Sequence, residues 1–261
     1  MSENSHYSDR FSGISRLYGQ SQAKGLQEAH VAVIGIGGVG SWSAEAIARS
    51  GVGKITLIDL DDICITNSNR QIHTLHSTIG QQKVDAMATR IQGINPECNV
   101  RVIHDFFTAS TAEEILSLNF DFVIDAIDSL NSKVSLLSLC HQKKIPVVTV
   151  GGAGGRRNPS AIKQDDLSES FNDGLLRRVR KKLRAEHGFP DTGSFGIPSV
   201  FSIERLWLPT PEGEVCLVPK KQKLSYNLDC NSGFGTASFV TGTFGFTAAA
   251  IAMAHLTGTT L

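Results

Sequence analysis

The sequence has no C-x-x-C pair, and its five cysteines are scattered from Cys64 to Cys230. Structural zinc sites use closely spaced Cys and His, and secreted disulfide frameworks use an even number of cysteines. Both classes are therefore disfavoured, and we expect no structural zinc. The polar N-terminal stretch also lacks the apolar core of a secretory leader. These features together predict a reducing, cytoplasmic environment.

The chain has no net charge, because 25 Lys and Arg residues balance 25 Asp and Glu residues. Its hydrophobic content of 41% and charged content of 19% are those of an ordinary globular protein. Whole-chain charge therefore predicts no partner. A nucleic-acid partner would need a local cluster of positive charge.

The segment 234–258 contains no acidic or basic residue, and His255 is its only titratable group. Its length reaches the range of a transmembrane helix. However, it is rich in Gly, Thr and Ala rather than Leu and Ile, and no basic cluster closely flanks it. We therefore predict a buried terminal helix rather than a membrane span.

No internal repeat and no low-complexity linker interrupts the chain. Over the first 150 residues, apolar runs such as "HVAVIGI", "KITLIDL" and "IPVVTVGG" alternate with amphipathic patterns such as "VDAMATRIQGIN". Repeated βα units of this kind predict an α/β fold with a doubly wound, mostly parallel, Rossmann-like sheet. We expect residues 11–155 to form a nucleotide-binding core. We expect residues 156–261 to form an irregular extension that binds the substrate, with a C-terminal helix that completes the same domain.

The stretch "HVAVIGIGGVGSW" contains a G-x-G-x-x-G turn between a predicted strand and a predicted helix. Glycine is needed where the backbone turns tightly or approaches phosphate oxygens, and a following helix N-terminus favours anions. Asp59 lies nineteen residues after the turn, where a carboxylate can accept hydrogen bonds from ribose hydroxyls. The turn predicts a nucleotide without identifying it; its glycines are Gly35, Gly37, Gly38 and Gly40.

The loop after the second predicted strand carries charge that a dinucleotide site does not need. "DLDDICITNSNRQ" and "GQQK" supply two cations, Arg70 and Lys83. An NAD pyrophosphate is held mainly by backbone N–H groups, whereas fixed cations suit a triphosphate. We therefore predict ATP. The other polar residues predicted to bind the nucleotide in this loop are Asp61, Asn67 and Gln71.

The stretch "DAIDS" ends a further predicted strand and contributes Asp125 and Asp128. Doubly wound folds bind ligands at the carboxyl ends of strands, and a carboxylate there can hold Mg²⁺ on ATP phosphates. Asp128 projects beyond the strand and is the predicted magnesium ligand. For Asp125, the alternative to a metal-binding role is a structural one, in which the carboxylate caps a helix or accepts hydrogen bonds from the backbone.

The motifs "GIGGVGSW", "LIDLDDICITNSNRQ", "GQQK" and "DAIDS" resemble the adenylation domain of the ubiquitin-activating-enzyme family, which includes the ThiF/MoeB-type adenylyltransferases. The resemblance implies that a substrate carboxylate attacks the α-phosphate of MgATP. It also implies that Asp59 binds ribose, that Asn67, Arg70 and Lys83 contact phosphates, and that Asp128 holds Mg²⁺. Arg16 in "ISRLYG" matches an arginine that reaches the partner subunit's ATP site, which implies a homodimer.

One charged helix departs from the sulfur-carrier branches of this family. "LLRRVRKKLR" has no acid between Asp173 and Glu186, so we expect no i,i+4 pair to offset its charge. In a neutral protein this cluster predicts contacts with a nucleic-acid backbone. Arg156, Arg157 and Lys163 could extend it. The predicted tRNA-binding residues are Arg177, Arg178, Arg180, Lys181, Lys182 and Arg184.

With this helix, the sequence is most similar to the branch of bacterial tRNA threonylcarbamoyladenosine dehydratases. That branch uses ATP to activate the threonyl carboxylate of a modified adenosine next to the anticodon, and the carbamoyl group then closes a ring. The resemblance further implies a bound monovalent cation, K⁺ or Na⁺, and a cysteine-desulfurase partner system.

Three other functions remain open at this point. The first is activation of the C-terminal carboxylate of a ubiquitin-like sulfur carrier. The second is an NAD-dependent oxidoreductase, although no proton-relay His stands near the strand ends. The third is a nucleotide-binding regulatory module without chemistry. Among the cysteines, Cys230 is the best candidate nucleophile, the context of Cys64 predicts burial, and Cys98 and Cys140 are predicted to be structural. Since ring closure needs no thiol, the inert interpretation is favoured for all five.

Overall fold

The computed structural model describes residues 6–210, 212–217 and 234–261. Its main feature is a seven-stranded sheet in the order β3-β2-β1-β4-β5-β7-β6, with a separate pair, β8-β9. The strands are β1 (His30–Ile34), β2 (Lys54–Ile58), β3 (Asn99–Ile103), β4 (Phe122–Asp125), β5 (Val147–Val150), β6 (Ile162–Asp166), β7 (Pro198–Ser202), β8 (Trp207–Pro209) and β9 (Val215–Leu217).

Helices cover both faces of this sheet. One face is packed mainly by α4, α5 and α9, and the other by α6, α7 and α8. The helices are α1 (Tyr7–Arg10), α2 (Ser12–Tyr18), α3 (Gln20–Glu28), α4 (Gly40–Arg49), α5 (Lys83–Ile94), α6 (Ala112–Leu116), α7 (Leu130–Lys143), α8 (Gly174–His187) and α9 (Ser238–Thr257).

The sheet confirms the predicted doubly wound, mostly parallel α/β fold. Neighbouring strands from β3 to β7 run parallel, and only β6 is antiparallel to its neighbour β7. After β1 the chain builds β2 and β3 on one side and then returns to add β4 on the other. The carboxyl ends of β1 and β4 therefore form the topological switch point, where open α/β sheets bind ligands.

The stretch "SVFSIERLWLP" forms two strands in the structure, β7 and β8. The last β6–β7 pair is Ile162 with Ser202, so the chain has no sheet partner beyond it. The Glu204 carboxylate then accepts hydrogen bonds from the backbone N–H groups of Arg157 (2.9 Å) and Asn158 (2.8 Å). Beyond Glu204, β8 pairs with β9 inside the extension predicted to be irregular.

The apolar helix α9 is a core helix of the domain. It is long and apolar enough to cross a membrane, but 56% of its apolar window is buried within the fold. It packs along α4 and against β4, β5 and β7. The contact with α4 is close at Gly245, where a Cβ would lie 2.7 Å from the carbonyl oxygen of Val39 and 2.8 Å from the Cβ of Trp42.

This close approach gives a stability prediction. We expect Gly245→Ala to lower the free energy of unfolding by about 1–3 kcal/mol, because the added methyl group overpacks the α4–α9 contact. In the matched control, Gly93→Ala in α5, the Cβ meets nothing within 4 Å. The control should raise stability by up to about 1 kcal/mol through helix propensity. Urea denaturation of both variants measures the difference, and equal effects would contradict the packing argument.

Candidate active site

The glycine turn at the switch point leaves no room for a side chain at Gly35 or Gly40. A Cβ at Gly40 would lie 1.8 Å from the carbonyl oxygen of Gly35, and one at Gly35 would lie 2.8 Å from that of Ala126. Gly35 also has a φ of 89°, in the region that favours glycine. The turn leads directly into α4, whose first N–H groups have no side-chain cap. This arrangement presents backbone donors to an anion.

Ile36, inside the turn, forms a hydrogen bond through its backbone N–H and another through its backbone carbonyl oxygen. Its N–H donates to Asp59 Oδ2 (2.6 Å), and its carbonyl oxygen accepts from His73 Nε2 (2.9 Å). Because a carbonyl only accepts, the proton lies on Nε2 of the imidazole. Burial lowers the pKa of His73 to about 4, so the ring is neutral. Sequence reasoning missed His73, since its role depends on a carbonyl 37 residues away.

Asp59 is buried, and its second oxygen, Oδ1, accepts a hydrogen bond from the N–H of Asp61 (2.9 Å). Burial raises the pKa of the Asp59 carboxyl, and the nearby positive charge of Lys83 acts in the opposite direction. Lys83 itself is buried and forms an ion pair with Asp61 (Nζ to Oδ2, 2.6 Å). The structure thus brings these three predicted residues together, with the Lys83 ammonium directed at Asp61.

Arg70 lines the cavity beside Gly38. Its Nη1 donates to the carbonyl oxygen of Thr66 (2.8 Å), while its own carbonyl oxygen accepts from Trp42 Nε1 (3.0 Å) and Thr241 Oγ1 (3.2 Å). The bonds from Trp42 and Thr241 attach the loop to α4 and α9 and fix the backbone of Arg70. Its guanidinium is held within the loop, where Nη1 also donates to Asn69 Oδ1 (3.0 Å).

The predicted residues Asn67 and Gln71 belong to the same loop as Arg70. Asn67 is buried, and its Oδ1 accepts from the N–H of Cys64 (3.0 Å), which stabilises the loop. Gln71 is also buried, and its Oε1 has no hydrogen-bond partner among the described residues. Neither side chain lines the cavity, whereas Asn69, which was not predicted, does.

Asp125 holds the end of β4 in place, which is the structural role given above as its alternative. Its Oδ2 accepts from Lys133 Nζ (2.7 Å) and from Thr149 Oγ1 (2.7 Å), and its Oδ1 accepts from the N–H of Ile127 (3.1 Å). Asp125, Lys133 and Thr149 are fully buried. Lys133 was not predicted, because its charge on a helix gives no sign of burial. The network sets the direction of the loop that carries Asp128.

Asp128 is exposed, lines the cavity, and forms no hydrogen bond or ion pair with another described residue. Within the described ranges, no three His, Cys, Asp or Glu side chains converge to hold a metal ion. A single free carboxylate is nevertheless the donor that Mg²⁺ uses when phosphate oxygens and water complete its coordination. Asp128 therefore fits the predicted magnesium ligand.

A cavity of about 480 Å³ joins Gly37, Gly38, Arg70 and Asp128 to a second wall that sequence reasoning missed, while Asp59, Asp61 and Lys83 do not line it. The wall follows β5 and continues into the start of α8. Asp173 connects the two elements, because its Oδ1 accepts from the N–H of Leu176 (2.8 Å) and its Oδ2 from that of Gly152 (2.8 Å). Residues of this wall include Gly151, Gly152, Gly154, Arg156, Gly174, Leu175, Arg178 and Phe234.

The basic helix α8 is amphipathic, with Leu176, Val179 and Leu183 fully buried. The cation Arg178 faces the cavity. Four other predicted tRNA-binding residues line a separate groove of about 430 Å³, which we call the basic groove: Arg177, Arg180, Lys181 and Arg184.

The expectation that no acid pairs along α8 was wrong at Lys182. Its Nζ lies 3.5 Å from Glu186 Oε2, an i,i+4 pair, and also donates to Asn131 Oδ1 (3.0 Å). Arg180 is also engaged, donating to the Ser170 hydroxyl. Burial and the neighbouring Arg184 lower the pKa of Arg180.

The cysteine predictions are confirmed in part. Cys98 and Cys140 are buried, and burial raises the pKa of each thiol to about 12. The expectation that Cys64 is buried was wrong, because the loop turns its thiol outward. The Thr66 hydroxyl donates to its sulfur (3.2 Å) and lowers the pKa of Cys64. Cys230 lies outside the described residues.

A glycine turn at the switch point, a carboxylate beneath it and cations beside it define a nucleotide-binding α/β domain. The chain matches the ThiF family over residues 10–260 and belongs to that family. The family resemblance predicted from the four motifs is thereby confirmed.

The chain is similar over nearly all its length to relatives of known name. It is 46% identical to tRNA threonylcarbamoyladenosine dehydratase of Escherichia coli (strain K12) over 246 residues, which cover 94% of this chain and 92% of the relative. A solved structure of TcdA (CsdL) matches with a TM-score of 0.88 at 43% identity, covering 96% of this chain and 95% of that one. E. coli TcdA in complex with ATP matches with a TM-score of 0.84 at 42% identity and the same coverage.

The burial of His73 gives a pH-dependent prediction. Because its pKa falls from 6.5 to about 4 on folding, the unfolded chain takes up a proton first as the pH drops. Stability from this group is complete above pH 6.5 and is lost between pH 6.5 and about 4. Between pH 7.5 and 5 the loss amounts to about 2 kcal/mol.

Urea denaturation of wild type and His73→Gln at the two pH values measures this effect. Glutamine can still donate to the Ile36 carbonyl but does not titrate. We expect the variant to lose about 2 kcal/mol less than wild type over this interval. Equal losses in the two proteins would contradict the assigned neutral imidazole.

Proposed function

We propose that the protein is an ATP-dependent dehydratase that converts threonylcarbamoyladenosine, next to the anticodon of tRNA, into its cyclic form. The observation that carries this proposal is the single cavity that joins the phosphate turn, Arg70 and Asp128 to the first turn of the basic helix at Arg178. The name of the E. coli relative supports the same reaction.

ATP is the nucleotide that the charges of the site favour. Its phosphates would lie over the turn from Gly35 to Gly40, with Arg70 beside them and the ribose within reach of Asp59. Asp128 would hold Mg²⁺, which neutralises phosphate charge when bound. Lys83 would act on the bound nucleotide in one of two ways. It would keep its ion pair with Asp61, or it would leave Asp61 and bind a phosphate of ATP. ATP in the matched E. coli structure supports this assignment.

The reaction begins when an oxygen of the threonyl carboxylate attacks the α-phosphorus of ATP and pyrophosphate leaves. Arg70 and the backbone N–H groups of the turn stabilise the charge that develops on the phosphate oxygens. The carbamoyl group then attacks the acyl carbon, a proton is lost and AMP departs with one carboxylate oxygen. The product is lighter than the substrate by one water.

The basic groove supplies the binding surface for tRNA. The whole chain is neutral, and four of its cations line this one groove. Contacts from Arg177 and Lys181 to phosphates would bring the anticodon loop against α8, whose first turn opens into the cavity.

The homodimer is also part of the proposal. Arg16 is exposed on α2, outside the cavity of its own chain, and the adjacent Leu17 is 71% exposed. This position suits an arginine that completes the ATP site of a second copy. We further propose that the protein is cytoplasmic, binds K⁺ or Na⁺, and works with a cysteine-desulfurase partner system.

Mass spectrometry of tRNA nucleosides tests the reaction. Incubation of tRNA that bears threonylcarbamoyladenosine with the protein, ATP and Mg²⁺ should remove the mass of one water from that nucleoside. Arg70→Gln should slow the conversion by about 100-fold, since one preorganised charge contact on the transition state is lost. Arg101→Gln, on the exposed edge strand β3, serves as the charge-removal control and should retain wild-type activity.

Pyrophosphate exchange distinguishes the alternative function. If exchange requires a ubiquitin-like sulfur-carrier protein and modified tRNA supports none, the protein is an adenylyltransferase for that carrier. Arg70→Gln does not separate the two functions, because both share the adenylation step.

Mixing two inactive variants tests the shared site. In a mixed dimer of Arg16→Gln with Arg70→Gln, one site keeps both arginines and the other has neither. Random exchange of equal amounts should therefore restore about one quarter of wild-type activity, since half of the dimers are mixed. Each variant incubated alone should stay inactive. Without recovery in the mixture, Arg16 does not act across a dimer interface.

A further inference from the structure

The helix α8 divides its cations between two concave surfaces. Arg177 and Lys181 point into the basic groove, whereas Arg178, the neighbour of Arg177 in sequence, lines the cavity that holds the phosphate turn. Consecutive helix positions are about 100° apart, so adjacent residues can face different surfaces. The charge cluster in the sequence is therefore two sets of cations in space.

The guanidinium of Arg178 is available for a ligand. The side chain is exposed, and its described polar contact is one long hydrogen bond from Nε to the carbonyl oxygen of Gly174 (3.3 Å). Arg184, by contrast, donates to the carbonyl oxygen of Pro190 (3.1 Å) and packs over the ring of Phe195. Arg156, the other cation of the second wall, is 3% exposed and donates to the carbonyl oxygen of Asn172 (2.6 Å).

The chemistry of the proposed reaction creates a need for such a cation. A carboxylate must approach the α-phosphate of ATP, and both groups are anionic. Arg70 serves the phosphate side of the cavity, on the loop after β2. Arg178 is the exposed cation on the opposite wall. Its planar fork of N–H donors matches the two oxygens of a carboxylate.

We propose that Arg178 binds the threonyl carboxylate of the modified nucleoside and aligns it for attack on ATP. The cations of the basic groove bind the tRNA backbone instead. This inference rests on the proposed dehydration. It assigns to one arginine of the helix the recognition of the modification, and to its neighbours the recognition of any tRNA.

Arg178→Gln and the matched variant Arg177→Gln separate these roles. The first measurement is binding of two tRNAs that differ only at the modified adenosine, one with threonylcarbamoyl and one with plain adenosine. Wild type should prefer the modified tRNA, and Arg178→Gln should lose that preference while binding plain tRNA within about 2-fold of wild type. Arg177→Gln should weaken both tRNAs equally and reduce the salt dependence of binding by about one charge.

The second measurement is the rate of dehydration at saturating tRNA. We expect kcat of Arg178→Gln to fall by about 10–100-fold, because a misaligned carboxylate seldom reaches the phosphorus. Arg178→Lys should recover part of this rate, since it keeps the charge without the fork. The Kd for ATP, measured without tRNA, should change by less than about 3-fold, which excludes a general disruption of the cavity.

The outcomes also separate this inference from the proposed function. If wild type does not dehydrate modified tRNA, the proposed function and the inference both fail. If wild type is active but Arg178→Gln keeps its preference for modified tRNA, only the inference fails. It fails equally if Arg177→Gln and Arg178→Gln have the same kcat and the same binding of both tRNAs.

Discussion

The backbone contact inside the glycine turn is the constraint on which the site depends. Gly40 approaches the carbonyl oxygen of Gly35 so closely that a Cβ there would lie 1.8 Å from it. This compact turn sets where α4 begins and lets its first N–H groups face the cavity. It also lies against Ala126 after β4 and beside Arg70, so the neighbouring loops are placed by the same contact. A side chain at Gly35 or Gly40 would push these segments apart.

Most carboxylates in the described part of the site hold loops in place, whereas Asp128 has no protein partner among the described residues. Asp59 holds the turn, Asp125 holds the end of β4, and Asp173 connects the start of α8 to the segment after β5. Hydrogen bonds to charged acceptors are each worth about 1.5–3 kcal/mol, which is enough to fix loops that carry no regular structure. Because these acids are satisfied by protein donors, Asp128 stands out as the free carboxylate of the cavity.

The positions of the charged residues in this protein are more informative than its net charge. The chain is neutral overall, yet α8 concentrates cations on a helix that buries only its leucine and valine stripe. Gly174, Leu175 and Arg178 of that helix line the cavity, whereas the residues that line the basic groove are Arg177, Arg180, Lys181 and Arg184. The same helix therefore presents cations to two separate surfaces, each of which favours anionic groups.

The sequence by itself determined the parallel sheet, the glycine turn and the acid nineteen residues beyond it, because strand periodicity and tight turns depend on near neighbours. Only the tertiary structure decided the burial and the partners of the other side chains, because those partners lie far away in sequence. His73 reaches a carbonyl 37 residues away, Lys133 is buried on Asp125, and Cys64 turns outward. Arg177 and Arg178 are indistinguishable in sequence. They face different surfaces because burial of Leu176 and Val179 fixes the rotation of α8.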